Sequence, residues 1–196
     1  MCQNVWENDD FIFKGDELKG MTAKGKDKVK TQGFTDMIIP ATTPEGLAIK
    51  RIGDNAFYRR GLTSVVIPDT VETIGYDAFG VCKLTEVKLP AALVGIEGFA
   101  FYRNKLKNVI FGDKVKTIEP SAFALNELEE LHLPEGLELI DTSSFYKNSL
   151  TSLKIPASVK KINMYAFHKN NIAEVEIPEG TQLHVYAFEA NTEIKK

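Results

Sequence analysis

A phenylalanine recurs every 22 residues at Phe57, Phe79, Phe101, Phe123, Phe145 and Phe167, and once more at Phe188 after 21. Five places before each stands an aliphatic residue: Ile52, Ile74, Ile96, Ile118, Ile140, Ile162 and Leu183. A fixed period of this length marks stacked supersecondary units, each burying its apolar side against its neighbours. The spacing therefore predicts a solenoid of about seven coils rather than a globule with a single closed core.

Within each coil the residues divide into two extended paths. One reads apolar-x-x-apolar-x-apolar-Pro at 62–68, 84–90, 128–134, 150–156 and 172–178, with Gly112 in place of proline at 106–112. Its last two apolar residues are two apart, so they share one side of a strand while the residue between them faces out. Proline has no N–H to donate and closes the strand. One such strand per coil, stacked at about 4.8 Å, predicts a parallel sheet along one side. The return path carries a second apolar set, such as Val71 with Ile74 and Val115 with Ile118, and leads into the phenylalanine. Alanine precedes that ring in six of seven coils, with Ser144 the exception, as a tight bend around a buried ring requires.

Three residues after the ring lies another column: Arg60, Cys82, Asn104, Asn126, Asn148 and Asn170. Asparagines in this register predict an inward ladder whose amides bond backbone groups that the loops leave unpaired. Cys82 reads as a small buried member of that column, and Arg60, too large for the slot, is expected to turn outward. Cys2 and Cys82 lack the spacing of a disulfide framework or zinc site.

Residues 1–33 have a different texture and read as an N-terminal cap, leaving 34–196 as the solenoid. Alternating apolar and polar residues around Lys14-Gly15-Asp16 predict a hairpin. Thr22 then caps a short lysine-rich helix. Lys24, Lys26, Lys28 and Lys30 form a solvated face, with a basic patch for an acidic ligand as the alternative. Extra residues around Thr43-Pro44-Glu45-Gly46 predict a surface excursion from the first coil.

The combination of Ile67-Pro68, Val71 with Ile74-Gly75, and Ala78-Phe79, repeated in later copies, resembles the BspA-like leucine-rich repeats over residues 34–193. The glycine after the return-path isoleucine stands at Gly53 and Gly75 and gives way to Glu97, Glu119, Asp141 and Asn163. The resemblance implies a leucine-rich repeat solenoid, α/β by convention but mostly strand and loop. It also implies a bacterial cell-surface or extracellular protein with an adhesive role toward host or bacterial partners.

Chemistry has little to stand on in this sequence. No Gly-x-Ser-x-Gly elbow, phosphate-cradling glycine loop or His-Glu-x-x-His helix occurs. His132, His168 and His184 fall in different columns, so no metal site, cofactor site or catalytic residue is expected. A net charge of −3 and a pI of about 5.7 offer no overall footprint for nucleic acid, and no apolar run is long enough for a membrane helix. The first residues lack the basic-then-apolar order of a signal peptide, which fits either a cytosolic chain or, as preferred here, a processed part of a secreted one.

The expected site is thus a surface that the repeat makes continuous. On the strand path the outward residues are Val66, Lys88, Ile110, His132, Lys154 and Glu176, suited to contact with a protein or glycan on a host or neighbouring cell. A parallel outward line, Ser64, Glu86, Asn108, Glu130, Ser152 and Glu174, is polar and acidic. A secondary strip follows the phenylalanines, with Tyr58, Tyr102 and Tyr146, joined by His168. The alternative function is a structural spacer or self-assembling element, because the final coil has a short polar ending that invites end-to-end association.

Overall fold

The computed structural model describes residues 5–195, so Cys2 lies outside it. The chain winds into about seven coils around a single apolar column, and the fold is the solenoid that the periodicity predicts. All seven phenylalanines enter that column. Successive rings from Phe57 to Phe188 stack with centroids 5.1–5.5 Å apart and planes within 16° of parallel. Phe57, Phe79, Phe101, Phe123 and Phe145 have no exposed surface, and burying each ring stabilises the stack by about 1.5–3 kcal/mol.

The continuous sheet lies on the return path. Two-residue strands Arg51–Ile52, Thr73–Ile74, Gly95–Ile96, Thr117–Ile118, Leu139–Ile140, Lys161–Ile162 and Gln182–Leu183 pair in parallel register, isoleucine on isoleucine. The Leu-to-Pro segments, where the sequence places the sheet, form only separate two-stranded ladders. β3 (Asp36–Ile38) pairs with Ser64–Val66, Glu86–Lys88 pairs with Asn108–Ile110, and Glu174–Glu176 pairs with Glu193–Lys195. Residues 128–134 and 150–156 follow the same course without regular strand pairing. In the coils other than that of Gly112, proline removes a ladder donor at the end of this path, whereas the return strands contain none.

At the N-terminal end β1 (Phe11–Lys14) and β2 (Glu17–Met21) form an antiparallel hairpin, and β2 joins the return-path sheet beside Arg51–Ile52. Phe11 meets Phe57 edge-on, with centroids 6.4 Å apart, and so covers the end of the ring stack. Helix α1 (Ala23–Gln32) starts where Thr22 Oγ1 accepts the Gly25 N–H at 3.3 Å and stops at Gly33, whose φ is +72°. A Cβ at Gly25 would collide with the carbonyl of Asp10, so glycine lets the helix press against this terminal segment. The excursion from the first coil closes as a small hairpin, with Thr42 bridged to Ala48 and Thr43 buried.

The asparagine column points inward. Asn126 Nδ2 donates to Phe101 O at 3.0 Å and Phe123 O at 3.1 Å, while its Oδ1 accepts the Leu106 N–H at 3.1 Å. Asn104, Asn148 and Asn170 do the same in their own coils. Cys82 occupies the equivalent slot, buried, with Sγ 3.2 Å from Phe57 O, and burial pushes its thiol pKa up. Arg60 departs from expectation: it does not swing clear into solvent but stays half-buried, with Nε enclosed and unpartnered.

Candidate functional site

On the strand path the pleat alternation holds even where the pairing is broken. Val65, Val87, Val109, Leu131 and Val175 are buried, and Leu153 in the same register is half-buried. Val66, Lys88, Ile110, His132, Lys154 and Glu176 are all exposed. Strand register fixes their alignment: Val66 lies opposite Ile38, Lys88 opposite Ile110, and Glu176 opposite Lys195. Ile38 and Lys195 therefore extend the line at both ends. Ile38 stands in the outward place of Phe34–Pro40, which has the same apolar-x-x-apolar-x-apolar-Pro order, whereas the segment that holds Lys195 lacks that signature.

The apolar members are unusually open to solvent, with Ile38 at 51%, Val66 at 59% and Ile110 at 54% exposure. Open depressions run beside them. One of about 380 Å³ lies among Val66, Lys88 and Ile110, and one of about 440 Å³ connects Ile110 with His132. Others of about 520 and 630 Å³ continue past Lys154 to Glu176 and Lys195. Successive depressions share lining residues and so form one furrow, with exposed Val66 and Ile110 beside Lys88 in its N-terminal half and Lys154, Glu176 and Lys195 in its C-terminal half.

The three tyrosines of the secondary strip have different neighbours. Tyr58 carries Arg59 over its ring at 5.1 Å, and Tyr102 packs edge-on against Phe99 at 5.2 Å. Tyr146 instead stacks on His168 at 6.2 Å and 12°. His168 in turn meets Tyr165 at 5.3 Å, and Tyr165 meets Tyr186.

The carboxylates that replace glycine after the return-path isoleucine stack into a ladder. Glu97, Glu119 and Asp141 each donate their backbone N–H to the isoleucine carbonyl of the preceding coil, as Gly75 does, so the turn is the same with either residue type. Arg51 reaches Glu97, Asp54 and Glu17 and neutralises the N-terminal end of the ladder. Burial pushes the pKa of Glu119 up, and the neighbouring charges of Glu97 and Asp141 add to the shift. Among the described residues, the acidic group compact enough to hold a cation is Glu7, Asp9 and Asp10. Lysines already occupy it: Lys24 Nζ lies 2.7 Å from Glu7 and 2.8 Å from Asp9, and Lys28 Nζ lies 2.6 Å from buried Asp10. These pairs tie the lysine-rich helix to the segment before β1.

Coils stacked on one apolar column, with a furrow along one wall, define a repeat solenoid. The family profile described as BspA type leucine rich repeat region matches residues 50–173 and 121–196 in six copies, and the chain belongs to that family. Among solved structures, a leucine-rich repeat protein from Bacteroides ovatus superposes with a TM-score of 0.59 at 17% identity, over 97% of this chain and 66% of the other. The pneumococcal vaccine antigen PcpA gives 0.58 at 18% identity, over 94% and 67%. The T. pallidum leucine-rich repeat protein gives 0.53 at 22%, over 91% and 77%. The chain thus spans about two thirds to three quarters of these proteins, and at such identities the likeness concerns the fold. No curated protein matches the chain.

Proposed function

We propose that the protein is a non-catalytic binding module of a bacterial surface or secreted protein, and that the strand-side furrow contacts a protein or glycan of a host or neighbouring cell. The observation that carries this reading is the exposed line Ile38, Val66 and Ile110 within a charged rim of Lys88, His132, Lys154 and Glu176. Apolar side chains aligned along stacked coils, with polar groups around them, are the anatomy of a recognition surface. The purified chain and a Lys88→Ser, Ile110→Ser, His132→Ser, Lys154→Ser variant are to be compared for adhesion to host-cell surfaces. Loss of adhesion in a variant with unchanged circular dichroism supports the furrow; equal adhesion removes it from the reading.

A second reading, an element that assembles end to end, rests on the last coil. In six coils the phenylalanine N–H donates at 2.8 Å to the carbonyl of the small residue before the next ring, as Phe167 does to Ala187. Among the described residues Phe188 has no such acceptor. Beside it a cleft of about 800 Å³ is lined by Ile177, Leu183, Val185 and Ile194. Light scattering over a range of concentrations distinguishes this reading, since a constant monomer mass excludes it.

A further inference from the structure

The edge of the solenoid that follows the core phenylalanines segregates positive charge. Two places after each ring the backbone enters the left-handed region, at Arg59, Val81, Arg103, Leu125, Lys147 and Lys169, with φ between 51° and 58°. Their N–H groups bond to the next coil, Arg59 to Gly80 O at 3.0 Å, Arg103 to Ala124 O at 3.0 Å and Lys147 to His168 O at 2.9 Å. That ladder stacks the six positions into a line along the solenoid, and its four cations are exposed. A second line two residues further on holds Lys83 and Lys105, and Arg60 lies between the two.

The segments 58–61, 80–83, 102–105, 124–127, 146–149, 168–171 and 189–192 together carry seven Lys or Arg and two carboxylates, Glu127 and Glu189, the latter accepting the Lys169 N–H at 2.8 Å. The local excess is five positive charges in a chain whose net charge is −3, so the remainder carries −8. Among the described residues none of these seven cations forms a salt bridge. Two are laid over aromatic rings, Arg59 on Tyr58 at 5.1 Å and Lys169 on Tyr146 at 5.6 Å. Cation–π contact of this kind holds a long side chain in place at a solvent-exposed site. Two coils separate Arg59 from Arg103 and Arg103 from Lys147, a repeat of about 10 Å at the usual strand spacing.

We propose that this edge binds an anionic polysaccharide running along the solenoid axis, with its acidic groups on the stacked cations. Single-stranded nucleic acid would need open aromatic faces for its bases, and the faces of Tyr58 and Tyr146 are covered by Arg59 and Lys169. An acidic peptide adding as a strand would need free backbone groups, and here the N–H groups of Arg59, Arg103 and Lys147 are committed to the next coil. What the edge offers is a row of charges with polar neighbours such as Ser149 and Asn171, which suits a polymer recognised by repeated anions and hydroxyls. This surface is distinct from the strand-side furrow, and the proposal stands or falls separately.

The test is calorimetric titration with dextran sulfate and with neutral dextran at low and moderate salt. Dextran sulfate is expected to bind, neutral dextran not to, and affinity to fall by at least about tenfold when salt is raised fourfold. Arg59→Asn, Arg103→Asn, Lys147→Asn and Lys169→Asn combined should weaken binding by at least about tenfold, and asparagine suits the left-handed backbone at these positions. Should that variant fail to fold, Lys147→Asn with Lys169→Asn is read instead, with a loss of about threefold expected. Lys88→Ser with Lys154→Ser, on the furrow, should leave affinity unchanged. Equal losses from both sets of variants, or retained affinity in the edge variants, overturn the proposal. Tighter binding of an oligothymidylate of matched charge would assign the edge to nucleic acid instead.

Discussion

Phe123 and Phe145 lie face to face in neighbouring coils, with centroids 5.5 Å apart and planes 4° from parallel. Phe123 also contacts Phe101 at 5.3 Å and the edge of Phe111 at 5.7 Å, so it is enclosed above, below and at one side. Phe123→Ala should therefore cost about 3–5 kcal/mol in urea-induced unfolding. Phe188→Ala should cost less, because that ring has a single ring neighbour, Phe167. Equal losses at the two sites would show that stacking along the axis contributes little.

Asn126 Oδ1 accepts the Leu106 N–H, and its Nδ2 shares Phe101 O with Asn104 and Phe123 O with Asn148. Asn126→Ala leaves the Leu106 N–H buried and unpaired and removes one of two donors from each carbonyl, and a loss of about 1–3 kcal/mol is expected in the same measurement. The converse change, Cys82→Asn, supplies the amide that its slot accepts in four other coils. It should raise stability by about 1 kcal/mol, read as an upward shift of the urea midpoint.

Val81 sits at φ +53°, a left-handed conformation that β-branched residues adopt only under strain. The coil imposes it, since the equivalent position is left-handed in every coil from Arg59 to Lys169. Val81→Asn should relieve about 1 kcal/mol, observed as a higher thermal midpoint.

Glu119 has a folded pKa above the ordinary glutamate value of 4.5, chiefly because burial penalises its charge. The folded state thus holds the proton more tightly than the unfolded chain, and this group's favourable contribution is present at acid pH and lost as pH rises through the folded pKa. Glu119→Gln keeps the acceptor that receives the Gly98 N–H at 3.1 Å. The variant should be more stable than the parent at pH 7 and equal to it near pH 4, measured by unfolding across that range.

Much of the architecture was legible because a 22-residue period leaves few options. The phenylalanine, isoleucine and asparagine columns each demanded an interior place, and each has one. The placement of the continuous sheet was not legible. Two-residue segments such as Thr73–Ile74 carry too little alternation to announce a strand, whereas the longer Leu-to-Pro segments do, although proline limits their pairing. The furrow's six inner members and Ile38 share one place in the pleat, while Lys195 required the register of the last strand to be seen. The basic edge was invisible in overall composition, because a net charge of −3 averages away a local excess.

The sequence by itself determined that the chain coils, which side chains enter the column, and that no reactive constellation lies within a single motif, since periodicity reports directly which residues need an apolar neighbour above and below. Only the tertiary structure decided which residues from different coils become neighbours. Arg59 meets Tyr58 locally, but its alignment with Arg103 and Lys147 arises from backbone bonds between coils, and so does the joining of Ile38 to Val66. Surface residues are free of the packing constraint that makes core positions readable, so the faces they build emerge only when the coils are stacked.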